Sequence, residues 1–375
     1  MLKVLAASAC LLGCANAAYT ATYTEIGLQA GADGGDLTDF DGDGDLDMIV
    51  AAEEGCSVVW FEQLSAASWA KHTVATGQIG PEDTVAGDFN NDGLNDLAWV
   101  NDEAETAGCL SGGKVVIAYQ TSTSWTLQTL VVGLGAINLA AEDVNRDGHL
   151  DIVYADKTGD ELVLLVNPGS SAPWTTQVLL SGVKADGAYE VLFVDMDCDG
   201  DKDIISTARA NDKVFWLRRP ATYTGTWDYI EIGSMDDPNH AILADVNGDG
   251  LTDVVAAAWA GGELAWFERS NGQWTRHTIS LTASLVGVAA YDFDADGQLE
   301  VVAMQYLGSE TASIFIFEPD NGVNQIWTKQ TLSTGYAQTD EVWVTTIGGN
   351  TVVVATSNHL SQAGTGRAFY LVVAP

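Results

Sequence analysis

A nine-residue aspartate-rich motif recurs six times along this chain of 375 residues. The first three copies are Asp39-Phe-Asp41-Gly-Asp43-Gly44-Asp45-Leu-Asp47, Asp88-Phe-Asn90-Asn-Asp92-Gly93-Leu94-Asn-Asp96 and Asp143-Val-Asn145-Arg-Asp147-Gly148-His149-Leu-Asp151. The next three are Asp195-Met-Asp197-Cys-Asp199-Gly200-Asp201-Lys-Asp203, Asp245-Val-Asn247-Gly-Asp249-Gly250-Leu251-Thr-Asp253 and Asp292-Phe-Asp294-Ala-Asp296-Gly297-Gln298-Leu-Glu300. Their first residues stand 49, 55, 52, 50 and 47 positions apart. Such regularity describes a repeated structural unit of about fifty residues rather than one isolated site.

Positions 1, 3, 5 and 9 of every copy carry Asp, Asn or Glu. Hard oxygen donors on a short loop suit Ca²⁺, which accepts six to eight oxygens at flexible geometry. Glycine at position 6 permits the sharp turn that converges them. Position 7 is expected to offer its backbone carbonyl, leaving the side chains of Asp45, Leu94, His149, Asp201, Leu251 and Gln298 free. The pattern is not an EF-hand, which needs Glu at position 12 and a following helix. Position 12 here is Val50 or Trp99 in the first two copies, and each motif runs into a β-type stretch such as Val254-Val-Ala. One acidic Asp-Gly turn needs no ion; six with acceptors at the same four positions argue for about six calcium ions. The copies opening at Asp39, Asp195 and Asp292 have carboxylates at all four side-chain positions, and the others have Asn at position 3.

A second marker phases the repeat independently. Trp69, Trp125, Trp174, Trp227, Trp274 and Trp327 open short amphipathic runs, the first five standing 18 to 21 residues before the next motif. Each unit then reads as four strands: A enters the loop, B leaves it, C carries runs such as Val214-Phe-Trp-Leu, and D starts at the tryptophan. Four strands per repeat of this length are a β-propeller blade. After Trp327, Val342 to Ile347, a Gly348-Gly-Asn turn and Thr351 to Thr356 form an A–B hairpin without the motif, and Phe369 to Val373 supplies strand C. Tyr19 to Ile26 falls in the missing strand D slot, 20 residues before Asp39. The expected fold is all-β: a seven-bladed β-propeller of four-stranded blades, closed by the N-terminal strand completing the last blade.

Residues 1–17 read as a signal peptide, with Lys3, an apolar stretch and an Ala15-Asn-Ala17 cleavage site, leaving residues 18–375 as one propeller domain. Leu11-Leu-Gly-Cys14 offers the rival reading of a lipobox that would anchor the chain through Cys14. Either address is extracellular, where abundant calcium fills even weak oxygen sites. The net charge of −37 argues against nucleic acid and anionic membranes as partners, and no later stretch is long enough to be a transmembrane segment. Secretion permits a disulfide between Cys56 and Cys109, which occupy equivalent loops of neighbouring repeats; Cys198 reads as a free thiol.

The stretches Asp245-Val-Asn-Gly-Asp-Gly-Leu-Thr-Asp-Val-Val and Leu264-Ala-Trp-Phe-Glu resemble FG-GAP/VCBS-type repeats. The resemblance covers nearly all of the chain after residue 17 and implies an integrin α-subunit-like seven-bladed propeller with Ca²⁺ in the A–B loops. It implies no ion near Gly348, where the acidic set is missing. Members of that family include adhesion receptors, lectins and propeller domains of polysaccharide-active enzymes, so the fold alone does not assign an activity.

With the metal loops on one face, the B–C loops and D–A links share the other. Five residues before each motif stand Gly34, Asp83, Asn138, Glu190, His240 and Gly287, which places Asp83, Asn138, Glu190 and His240 at one level of the channel. Glu53, Glu54, Asp102, Tyr189, Asp237, Trp259 and His359 belong to nearby loops. Convergent polar and aromatic groups at a funnel suit a ligand site. His72 and His277 both follow a strand D tryptophan by three residues and read as sheet packing, and His149 is expected to face solvent. No serine–histidine–acid spacing, His/Cys metal cluster or glycine-rich phosphate loop occurs. The leading expectation is therefore a secreted calcium-binding module for an extracellular glycan or protein. The alternative is a polysaccharide lyase or hydrolase using His240 or Tyr189 as base with Glu190 or Asp83. A scaffold or calcium-buffering surface protein is a third reading.

Overall fold

A computed structural model describes residues 18–102, 113–307, 312–320, 326–336, 341–357 and 366–375. The expected leader with Cys14, together with Cys109 and His359, lies outside the described residues.

Among the described residues, twenty-eight strands form seven four-stranded antiparallel sheets. In six of them sequence order is spatial order, so each blade is a meander. Blade 3 shows the plan, with strands Ala136–Glu142 (A), Asp151–Asp156 (B), Glu161–Val166 (C) and Thr175–Ser181 (D). Blades 1 and 2 span residues 32–76 and 81–132, and blades 4, 5 and 6 span 188–234, 238–281 and 285–336. Each tryptophan lies within one residue of the start of strand D, as the repeat phasing expects. Among the described residues the only helix is a 3₁₀ turn, Gly182–Ala185, and no helix is long and apolar enough to cross a membrane.

Blade 7 is built from both ends of the chain. Val342–Ile347, Asn350–Ser357 and Arg367–Ala374 supply A, B and C, and Thr20–Leu28 pairs with Arg367–Ala374 as strand D. Its A–B turn is two residues long, with Gly348 and Gly349 at φ of 57° and 80°. Two consecutive positive φ values match the twist of a tight hairpin and suit glycine.

The core lies between blades. Strand B is buried on both faces throughout blade 3, as expected of a strand covered by two neighbouring sheets. Phe61 packs with Val352 and Val354 of blade 7, and Trp216 packs with Phe267 of blade 5. His72 and His277 stack on the Trp60 and Trp266 rings directly across the C–D pair, at 4.5 and 4.4 Å, and bond Glu62 and Glu268. Their role is sheet packing, as their repeated position suggests.

Strand A of blades 1 to 6 carries a register break at one equivalent place, between Ala32/Gly35, Pro81/Asp83, Ala136/Asn138, Ala188/Val191, Pro238/Ala241 and Val286/Val288. A bulge re-aims the side chains beside it. Here it brings consecutive residues to the central channel.

Candidate functional site

The six A–B loops share one conformation. Glycine at position 6 is left-handed in all of them, at φ between 85° (Gly250) and 98° (Gly44). Position 4 is left-handed too, whatever its residue: Gly42, Asn91 (58°), Arg146 (62°), Cys198 (60°), Gly248 and Ala295 (61°). The second special position was not legible, because only two of the six copies mark it with glycine.

These two reversals curl the loop around its own acids. In loop 2 the Asp88 carboxylate accepts the N–H groups of Asp92 (3.0 Å) and Gly93 (2.8 Å), and Asp92 accepts that of Leu94 (2.9 Å). The carboxylates therefore face one centre. In loops 1, 4 and 6 one oxygen from each member of Asp39/Asp41/Asp43, Asp195/Asp197/Asp199 and Asp292/Asp294/Glu300 lies within 4.8 Å of the others. Buried carboxylate oxygens of Asp39 and Asp197 have no protein hydrogen-bond partner. Unpaired buried carboxylate oxygen is costly, and a cation at the centre would satisfy it. The donor set is all oxygen and fits a hard metal ion.

Position 9 has a second task. Asp47, Asp96, Asp151, Asp203, Asp253 and Glu300 are fully buried. One oxygen of each accepts the N–H of position 2, as in Val144 to Asp151 at 3.2 Å. In the first five the other oxygen accepts an N–H at the end of strand C or just past it, as in Asn167 to Asp151 at 2.8 Å. The residue thus ties loop entry to the third strand. Burial pushes the carboxyls up, to about 6 in Asp96, Asp203 and Asp253 and about 7 in Asp151 and Glu300. Backbone N–H groups pull against that rise, and neighbouring motif carboxylates add to it. A divalent ion reverses this balance by favouring the charged form.

The loops also touch one another, and this corrects the expectation that position 7 side chains are free. His149 is half-buried rather than solvent-facing: its Nδ1 meets Asn91 Nδ2 of loop 2 at 2.9 Å, and a Cβ on Gly169 would fall 2.1 Å from its Nε2. Asp201 forms ion pairs with Arg146 of loop 3 (2.7 Å) and Arg219 (2.6 Å). Gln298 turns back on Asp296 at 2.9 Å. Residues at the end of strand C in blades 3, 4 and 5 reach the previous blade as well. Asn167, Arg219 and Arg269 bond the position 2 carbonyls of Phe89, Val144 and Met196. Cys198 is an exposed free thiol and Cys56 is disulfide-bonded.

Strand A lines the channel, a cavity of about 430 Å³ reached by Asp83, Asn138, Glu190, His240 and Gly287. The predicted level is real, and its side chains are engaged between blades. Asp83 accepts the Leu139 N–H (3.3 Å) and the Asn138 amide (2.9 Å); Asn138 accepts Val191 N–H (2.9 Å); Glu190 accepts Ala241 N–H (3.3 Å). Each bonds the residue just after the equivalent position in the next blade. Glu341 of blade 7 continues the series by accepting Gly35 N–H at 3.0 Å. Sequence reasoning missed Glu341 because blade 7 has no motif from which to count. The available signal was a threonine: Thr356 accepts Glu341 N–H as Thr207 accepts that of Glu190. Burial drives the Asp83 carboxyl well above the ordinary range, and Glu190 and Asp36 add to it. His240 Nδ1 lies 3.3 Å from Glu190, with its ring edge-on to Tyr189.

One residue nearer the mouth, the bulge presents Asp33, Glu82, Ile137, Tyr189, Asn239 and Val286 around a smaller cavity of about 140 Å³. Glu53, Lys157, Arg209, Trp259 and Tyr306 complete its wall. Arg209 bonds Asp237 through two nitrogens (2.5 and 3.0 Å) and lies 4.9 Å from the Tyr189 ring and 5.1 Å from that of Trp259. Trp259 meets Tyr306 edge-on at 5.7 Å and stays 39% exposed. Asp33, Glu53 and Glu82 bring one oxygen each within 4.8 Å of one another.

A family model described as "FG-GAP-like repeat" matches residues 39–99, 143–206, 195–256 and 245–303, together more than half of the chain. The chain belongs to the FG-GAP-like repeat family. No curated protein matches it. Among solved structures it is similar to a candidate 6-phosphogluconolactonase from Bacteroides fragilis, at 14% identity and a TM-score of 0.52, over 88% of this chain and 92% of that one. A second such protein from Bacteroides uniformis gives 13% identity and a TM-score of 0.49, over 88% and 94%. At this identity the first likeness concerns the propeller fold alone.

Proposed function

We propose that this FG-GAP propeller is a secreted, calcium-stabilised module that binds an extracellular glycan through the channel mouth opposite the A–B loops. The observation that carries the binding site is the wall of the smaller cavity. An exposed Trp259 is held edge-on by Tyr306 and backed by the Arg209 guanidinium, which Asp237 fixes in turn. A rigid aromatic face beside fixed polar groups suits the apolar face and hydroxyl edge of a sugar ring. The calcium reading rests on the all-oxygen donor set and the partnerless oxygens of Asp39 and Asp197. The loops and the mouth lie on opposite faces, so the ions act on the site through the stability of the ring.

A glycan array probed with the calcium-loaded protein tests the reading, with Trp259→Ala and His240→Ala variants alongside. Binding of a defined glycan class, weakened at least about tenfold in Trp259→Ala, is the expected outcome for a stacked hot-spot aromatic. Retained binding in that variant would move the site elsewhere. Turnover of a polysaccharide that vanishes in His240→Ala would replace a binding module with an enzyme.

A further inference from the structure

The left-handed residue at position 4 does more than turn the loop. In loop 2 it is Asn91, whose amide donates to the Gly148 carbonyl of loop 3 at 2.9 Å and meets His149 Nδ1. In loop 3 it is Arg146, which donates to the Gly200 carbonyl of loop 4 and pairs with Asp201. Both contacts land on positions 6 and 7 of the next loop, the segment whose carbonyl is expected to face the ion. In loops 1, 5 and 6 position 4 is Gly42, Gly248 or Ala295, too short to reach a neighbour. Cys198 of loop 4 is short as well and stands as an exposed free thiol.

We infer that the calcium sites of loops 2, 3 and 4 are energetically linked, through Asn91 and Arg146, whereas loop 6, with Ala295 at position 4, lacks this side-chain link. The inference rests on the calcium reading of the loops. Asn91 stands between the ligands Asn90 and Asp92, and Arg146 between Asn145 and Asp147. An ion therefore fixes the backbone of the very residue whose side chain holds the next loop. Ordering one loop lowers the entropy cost of ordering its neighbour, which is positive coupling without a change of fold. The link is reciprocal: filling loop 4 must favour loop 3 by the same factor. Contacts to the position 2 carbonyls behave differently. They end on residues such as Phe89, Val144 and Met196, buried in the sheet core and fixed whether or not an ion is bound.

Charge sets the level of loop 4's own affinity and is separate from the link. Loop 4 has five aspartates, at positions 1, 3, 5, 7 and 9. Arg146 and Arg219 both pair with the one at position 7, Asp201, so the excess charge is neutralised from blade 3's loop and from the end of strand C. Losing Arg146 removes one of those cations along with the loop 3 contact.

Calcium titration by calorimetry, with bound ions counted by native mass spectrometry, tests the link in the full chain. Asp143→Asn disables loop 3 and is expected to remove one ion and weaken two others by about fivefold, the lower end of ordinary coupling. Asp292→Asn disables loop 6 and should remove one ion with the rest of the isotherm unchanged. Arg146→Ala keeps every ligand, so all six ions should still bind, with the affinity change of one loop no longer following Asp143→Asn. Thermal melts at saturating calcium confirm that each variant is folded. A loss of one ion in Asp143→Asn with the remaining affinities untouched overturns the link. So does an equally broad weakening from Asp292→Asn. A wild-type chain that binds no calcium overturns the calcium reading itself and the link with it.

Discussion

Asp83 shows how a single residue can look like a site and act as a joint. The sequence placed it, with Asn138, Glu190 and His240, on one level of the channel, and that level exists. What the sequence could not express is the bulge in strand A, which turns these side chains onto the next blade's N–H groups. Asp83→Ala strands the Thr84 and Leu139 N–H groups in a buried place and should cost about 2–3 kcal/mol in denaturant unfolding. Asp83→Asn keeps the shape and removes the titration. The folded carboxyl sits well above its ordinary value, so the folded chain holds a proton that the unfolded chain has released. That contribution is complete below about pH 4 and is lost as pH rises toward the folded value. The Asp83→Asn variant should therefore gain stability relative to wild type as pH rises above about 4, by up to about 1.4 kcal/mol per pH unit. A pH-independent difference would contradict the assignment.

At the scale of the element, the A–B loop was the most legible part of the chain and still held two surprises. Its oxygen positions and its position 6 glycine were plain from the repeat. Position 4 was hidden because Asn, Arg, Cys and Ala occupy it in four copies, although all four adopt the same left-handed backbone. Position 9 was read only as a ligand, whereas its buried carboxylate also ties the loop to the end of strand C. Ligand charge should rank the loops. Those opening at Asp39, Asp195 and Asp292 have carboxylates at every side-chain position and should bind calcium more tightly than the three with Asn90, Asn145 or Asn247. Arg146 and Arg219 beside Asp201 should place loop 4 lowest of the first three. Affinities resolved by single-loop Asp→Asn knockouts at positions 39, 195 and 292 check this order, and six equal sites would refute it.

The whole molecule is a ring whose first and last segments share a sheet. Thr20–Leu28 pairs with Arg367–Ala374, so the sheet edge that would template aggregation is covered. That closure was legible because an unpaired strand at one end matched a missing strand at the other. Blade 7's side of the channel was not, since Glu341 belongs to no motif. The net charge of −37 must be held in this compact ring, with 23 of 52 acids in the six loops. Without ions, those clusters repel one another across short distances. At about a millimolar calcium, extracellular-type sites contribute roughly 1 kcal/mol each, so six together shift the melting transition of a chain this long by about 8 °C. The most direct test is thermal unfolding at pH 7.5 with calcium and with excess chelator. The account predicts a fall of at least about that size on chelation, restored by added calcium. A melting temperature that does not move would contradict it.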